Sequence, residues 1–145
     1  MAPRETSPLL FRNNLTVGVR FFVVYDRKKI MLDRLNWVEI NLKNFAHNTI
    51  CVKRLIGPKV KLMAVIKANA YGHGVVGIAK YLEKRLPIDY LGVVCLYEAR
   101  ILRESGITLP ILILNYIDEE GVCRAMDLDI AVTVTDEKTL RVLDN

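Results

Sequence analysis

The sequence predicts an α/β fold made of parallel βα units, suited either to a small open or doubly wound sheet or to a (β/α)8 TIM-type barrel truncated after about four units. Three observations carry this. Short apolar runs start near residues 61, 90, 111 and 130, about 20 to 30 apart, with amphipathic helical segments between them. The run Leu62-Met63-Ala64-Val65-Ile66 is unbroken by any polar residue, as expected of a parallel strand covered on both faces. Finally, 145 residues that are 52% hydrophobic and 26% charged can bury a core without a disulfide or metal staple.

The elements follow in order. The first 30 residues show no sustained period, mix Pro3, Pro8, Asn13 and Asn14 with a β-favouring patch at 17–25, and read as an extension outside the fold. A new pattern starts at Met31, so residues 31–145 form the domain. Residues 36–40 alternate like a half-buried strand. Asn41 is placed to N-cap a helix with apolar Leu42, Phe45, Ala46 and Ile56, and Gly57-Pro58 stops it. After the strand within 61–67, Val75, Ile78, Ala79, Leu82 and Leu86 mark an amphipathic helix. The alternation continues with a strand at 90–95 and a helix at 98–105 closed by Gly106. A strand at 111–114, a helix at 118–126, a strand at 130–134 and a last helix from Thr135 complete it. A closed barrel needs eight strands and about 250 residues.

Charge and cysteines exclude several classes. The net charge is +5, but residues 1–30 hold six basic residues against Glu5 and Asp26, leaving +1 on the remainder. The body therefore lacks the clustered basic face that nucleic-acid binding needs. The charge-free stretch 105–117 contains Pro110 and falls short of the roughly 20 residues that span a bilayer. Cys51, Cys95 and Cys123 are odd in number and widely spaced, with only two histidines, so neither a disulfide framework nor a metal site is expected. Reduced thiols point to the cytoplasm.

The chemistry is concentrated after the first apolar run, in Lys67-Ala68-Asn69-Ala70-Tyr71-Gly72-His73-Gly74. Function in parallel α/β folds gathers at the C-terminal ends of strands, where Lys67 falls. A lysine there is ordinarily a solvated strand end. The octet adds Tyr71 and two glycines that let backbone approach a ligand at a helix N-terminus, an anion site. An amine, a hydroxyl and peptide N–H donors suit an aldehyde cofactor that bears a phosphate. His73 and Asn69 read as loop-fixing residues, His47 as a surface or packing residue, and Cys95 as a packed thiol.

The segment 64–74 resembles the pyridoxal-phosphate attachment motif of the alanine racemase family, fold-type III enzymes. Trp37-Val38-Glu39-Ile40-Asn41-Leu42, Asn48, Leu91-Gly92-Val93, Glu98-Ala99, Ser105-Gly106-Ile107 and Pro110-Ile111-Leu112 extend the resemblance over residues 35–143. It implies a pyridoxal 5′-phosphate-dependent isomerase that interconverts L- and D-alanine by two-base proton transfer at Cα and supplies D-alanine for peptidoglycan. In that reading Lys67 is the Schiff-base lysine and one base, and Tyr71 hydrogen-bonds the cofactor phosphate.

Family members continue through the barrel into a β-domain and work as homodimers. The opposite-face base and the groups for the pyridine nitrogen and substrate carboxylate lie in that remainder. The chain accordingly reads as the N-terminal half of the cofactor-binding barrel, an incomplete fragment inactive alone, with the strand at 37–40 lacking its partners. Alternatives are a serine or broad-specificity amino-acid racemase, a fold-type III decarboxylase, or a non-catalytic pyridoxal-phosphate-binding protein. The continuation Ala70-Tyr71-Gly72-His73-Gly74 favours the racemase over the last two.

Overall fold

The computed structural model describes residues 19–21 and 38–144. Among them the chain forms β1 (Val19–Phe21), β2 (Val38–Ile40), α1 (Leu42–Ile56), β3 (Met63–Val65), a helical turn at Lys67–Tyr71 and α2 (Val75–Arg85). There follow β4 (Tyr90–Val93), α3 (Leu96–Glu104), β5 (Ile111–Ile113), α4 (Glu119–Asp127), β6 (Ala131–Val132) and α5 (Glu137–Leu143). Polar side chains start three of the helices. Asn41, Asp118 and Asp136 each accept the N–H three residues on, at 3.0, 2.8 and 2.8 Å, satisfying donors that have no partner inside the helix.

The sheet is parallel, with strand order β3-β4-β5-β6 equal to chain order, and each strand is followed by its helix, giving four βα units. Met63 pairs with Tyr90, Leu91 with Ile111, and Leu112 with Ala131. Alternation along the strands sends Leu91, Val93, Ile111 and Ile113 into one core with Ile78, Ala79, Leu82, Ala99, Leu102, Val122 and Ala125 of the helices. The amphipathic pattern read for α2 is borne out: Val75, Ile78, Ala79 and Leu82 are all buried.

The expectation that β3 is covered on both faces needs correction. Met63 and Val65 are 37% and 38% exposed, because the described helices cover only the face carrying Leu91 and Val93. A side chain at Gly92 would meet Leu114, Met63 and Val65 at 3.2 to 3.4 Å, so these residues share the other, open face. In a closed (β/α)8 barrel that face is the packed interior.

β1 and β2 form a separate antiparallel pair, with Val19 opposite Ile40 and Phe21 opposite Val38. Ile40 also packs against the main core. The strand expected at 37–40 therefore has a partner, drawn from within residues 1–30; the rest of that expected extension lies outside the described residues.

Charged side chains tie the strand entrances together at the N-terminal end of the sheet. Asp89, just before β4, accepts the Leu62 N–H at 2.7 Å and the Lys53 ammonium at 3.3 Å. Glu83 accepts the Thr108 N–H, the Thr108 hydroxyl and the Leu109 N–H at 2.7 to 2.9 Å. Arg103 donates to the carbonyls of Ile107, Leu109, Leu128 and Asp129 at 2.7 to 3.0 Å. The Leu62 N–H, foremost, holds Asp89 below the usual carboxylate range. For Glu83, desolvation pushes upward but the donors from Thr108 and Leu109 outweigh it, and the net shift is downward.

Candidate active site

The C-terminal end of the sheet is built differently. β3 ends at Val65, and Ile66, 4% exposed, anchors the exit by donating to Gly92 O at 2.8 Å. The chain then makes a turn of the wrong hand. Ala68, Asn69, Ala70 and Tyr71 have φ of 51°, 56°, 54° and 53°, with ψ of 52°, 43° and 48° at the first three. These are left-handed helical values, which in L-residues cost about 1–2 kcal/mol each. Ala68, Ala70 and Tyr71 together store about 3–6 kcal/mol that the surroundings must offset, asparagine being more tolerant of this region.

Three side chains hold the turn. Glu98, in the first turn of α3, accepts the Ala68 N–H on Oε1 at 2.6 Å and the Val94 N–H on Oε2 at 2.9 Å. Asn69 Oδ1 accepts the Val75 N–H at 2.9 Å and so starts α2. The His73 ring lies with Nδ1 2.7 Å from Ala70 O, the N–H donating. Ala70 is buried at 5% exposure. Gly72, at φ 85°, leaves the turn in a conformation that only glycine adopts freely.

This geometry places the residues singled out in the sequence. Lys67, two residues past β3, is half-buried at the C-terminal end of the sheet. Tyr71 closes the turn and is 59% exposed. Asn69 and His73 fix the loop backbone as expected, and His47 is exposed on α1 with Nε2 3.5 Å from Cys51 Sγ. Cys95 is a correction: it is exposed rather than packed, because it lies beyond the end of β4 at the N-cap of α3.

The expected peptide anion cradle is a second correction. The N–H groups of Gly72, His73 and Gly74 donate to Ala68, Ala70 and Asn69 carbonyls at 3.0 to 3.1 Å, and that of Val75 to Asn69 Oδ1. A left-handed turn joined directly to a right-handed helix consumes these donors in its own closure. Neither the Lys67 amine nor the Tyr71 hydroxyl is engaged by another described residue, and the two together suit an aldehyde that also bears a phosphate. A cleft of about 430 Å³ lined by Leu96, Tyr97, Arg100, Arg124, Asp127 and Leu128 lies on the helix layer and contains neither residue.

Sequence reasoning missed the hand of the turn and the Glu98 clamp. The available signal was an acidic residue at the third position of a helix that directly follows a strand.

Comparison with known proteins bears on this arrangement. The sequence model of the family described as "Alanine racemase, N-terminal domain" matches residues 40–145. Alanine racemase 2 of Caldanaerobacter subterraneus subsp. tengcongensis is 43% identical over 106 residues, 73% of this chain and 27% of the relative. The alanine racemase of Methanococcus maripaludis is 42% identical over 98 residues, 68% of this chain and 26% of the relative. Among solved structures, the Bacillus anthracis alanine racemase with bound L-Ala-P superposes with a TM-score of 0.68 at 36% identity, covering 72% of this chain and 27% of that one. The Clostridium difficile 630 alanine racemase gives 0.62 at 41% identity, covering 69% and 26%. The chain thus spans about a quarter of the length of the relatives it matches.

Proposed function

The chain belongs to the alanine racemase N-terminal domain family, and on that premise we propose that its Lys67 segment serves the pyridoxal-phosphate-dependent interconversion of L- and D-alanine. One observation carries the reading. Lys67 lies just past the first parallel strand, at the end of the sheet where such folds carry their chemistry, and opens a left-handed turn of a kind that clusters at functional sites.

The residues fit the cofactor. The Lys67 amine would hold the cofactor at its aldehyde carbon, the carbonyl oxygen leaving as water, and the Tyr71 hydroxyl would donate to the phosphate. When bound, the cofactor draws off the electron pair left at Cα as its proton departs. Lys67 moves that proton on one face of the substrate Cα. Asn69 and His73 keep the turn closed and leave the substrate to Lys67. In this reading the opposite-face base is supplied by the partner in a homodimer. Its three free thiols suit a cytoplasmic enzyme supplying D-alanine for peptidoglycan. No helix among the described residues is long and apolar enough to cross a membrane.

The test is incubation with pyridoxal 5′-phosphate, borohydride reduction to a stable secondary amine, and peptide mapping. Label is expected on Lys67 and is expected to vanish in Lys67→Ala. Label spread over surface lysines and unchanged in Lys67→Ala would refute the reading.

A further inference from the structure

We propose that Glu98 is the positioning residue for Lys67, a carboxylate clamp that sets the lysine against the end of the neighbouring strand. The inference rests on the cofactor role of Lys67 and extends it to a residue 31 positions away in the chain.

The geometry is specific. The N–H that Glu98 Oε1 accepts at 2.6 Å belongs to the peptide joining Lys67 to Ala68, so the bond fixes the plane immediately following the Lys67 Cα. The other oxygen accepts the Val94 N–H at 2.9 Å, one residue past β4. A carboxylate acceptor makes each a stronger bond than one between two neutral groups. One carboxylate thus bridges the exits of two adjacent parallel strands, and Lys67 is referenced to β4, whose Leu91 and Val93 are fully buried, rather than to its own loop.

Ala68 is also the first residue of the left-handed turn. Its relaxation toward ordinary backbone angles would swing the Lys67 side chain away from where it emerges, and the Ala68–Glu98 bond opposes that swing directly. Asn69 and His73 hold the far end of the turn, toward α2 and Ala70, and leave the Lys67 peptide to Glu98. Catalytic groups need placement within fractions of an ångström, and a displacement of about 1 Å costs on the order of a hundredfold.

The full 145-residue chain is incubated with pyridoxal 5′-phosphate, sampled over time by borohydride reduction, and mapped for label at Lys67 against the nine other lysines. Glu98→Gln keeps one acceptor oxygen and loses the other. It is expected to slow labelling of Lys67 on the order of tenfold while the other lysines label at the wild-type rate. Glu98→Asp, a milder change that keeps the charge but falls short of one N–H, is expected to fall between and stands in should Glu98→Gln not fold.

Glu83→Gln is the control, since Glu83 makes the same kind of carboxylate clamp at the opposite end of the sheet. It is expected to lower Tm yet leave Lys67 labelling within about twofold of wild type. Wild-type labelling of Lys67 in both Glu98 variants, or an equal loss in Glu83→Gln, overturns the positioning role. A wild-type chain that labels Lys67 no faster than its other lysines overturns the cofactor reading, and the positioning role with it.

Discussion

Replacing Ala68 with glycine is expected to stabilise the protein, the reverse of what the same change does in an ordinary helix. At φ 51° and ψ 52° the alanine Cβ crowds the following carbonyl, at a cost of about 1–2 kcal/mol that glycine escapes. Against this, glycine frees the unfolded chain by about 0.4–1 kcal/mol. Ala68 is exposed, so no packing is lost with the methyl, and its N–H bond to Glu98 survives the change. The net is a gain of about 0.5–1 kcal/mol, a rise in Tm of roughly 1–4 °C for a chain of this size. Ala46→Gly, in the right-handed α1, is expected to lower stability by about 0.5–1 kcal/mol. The two variants are compared by calorimetry or by far-ultraviolet circular dichroism on heating. A fall in Tm for Ala68→Gly comparable to that of Ala46→Gly would refute the left-handed turn and the strain assigned to it.

Arg103→Lys keeps the charge but replaces a five-donor fork by a point cation unable to reach all four carbonyls; a loss of about 2–3 kcal/mol is expected in urea unfolding, and a loss below about 0.5 kcal/mol would show that the staple is dispensable. Glu83, Asp89 and Asp136 are held below the usual carboxylate range. A depressed carboxyl contributes stability that is present at neutral pH and lost as the pH falls below about 4. Tm measured from pH 7 to 2.5 should therefore drop along an acid limb, shallower in Glu83→Gln. Val93→Ala, on the covered face of the sheet, should cost about 2 kcal/mol, whereas Val65→Ala on the open face should cost less than half that. Equal losses in thermal unfolding would mean that both faces are packed.

Most of the scaffold was legible because its signals are local. Asn41, Asp118 and Asp136 announce helix starts within three residues of the N–H they satisfy. The spacing of Val75, Ile78, Ala79 and Leu82 defines the buried stripe of α2 before any partner is known. The Lys67 octet stood out in the sequence as residue types, but its backbone conformation did not. Ala68 and Ala70 favour right-handed helix in isolation, and the opposite hand is held by Asn69 and His73 together with the distant Glu98. Glu98 lies 30 positions from Ala68, Glu83 lies 25 from Thr108, and Arg103 lies 25 from Leu128. Such pairings have no period to read. The open face of β3 was misjudged for a related reason: an unbroken apolar run reports what a strand tolerates on each face and says nothing of which face a helix layer covers.

The strand order β3-β4-β5-β6 bears on how the domain is made. Among the described residues the strands of this sheet pair with their neighbours in chain order, and no pairing reaches beyond the next unit. A nascent chain leaving the ribosome can therefore add one strand and one helix at a time to a growing edge, with every loop it must close already synthesised. Contacts of this modest sequence separation favour fast closure, since the entropy lost rises with loop length. Lys67 and Ala68 emerge first, but the carboxylate of Glu98 arrives only with α3. The left-handed turn is thus expected to set only after β4 has docked, and slow refolding confined to probes at residues 67–71 would be its kinetic signature.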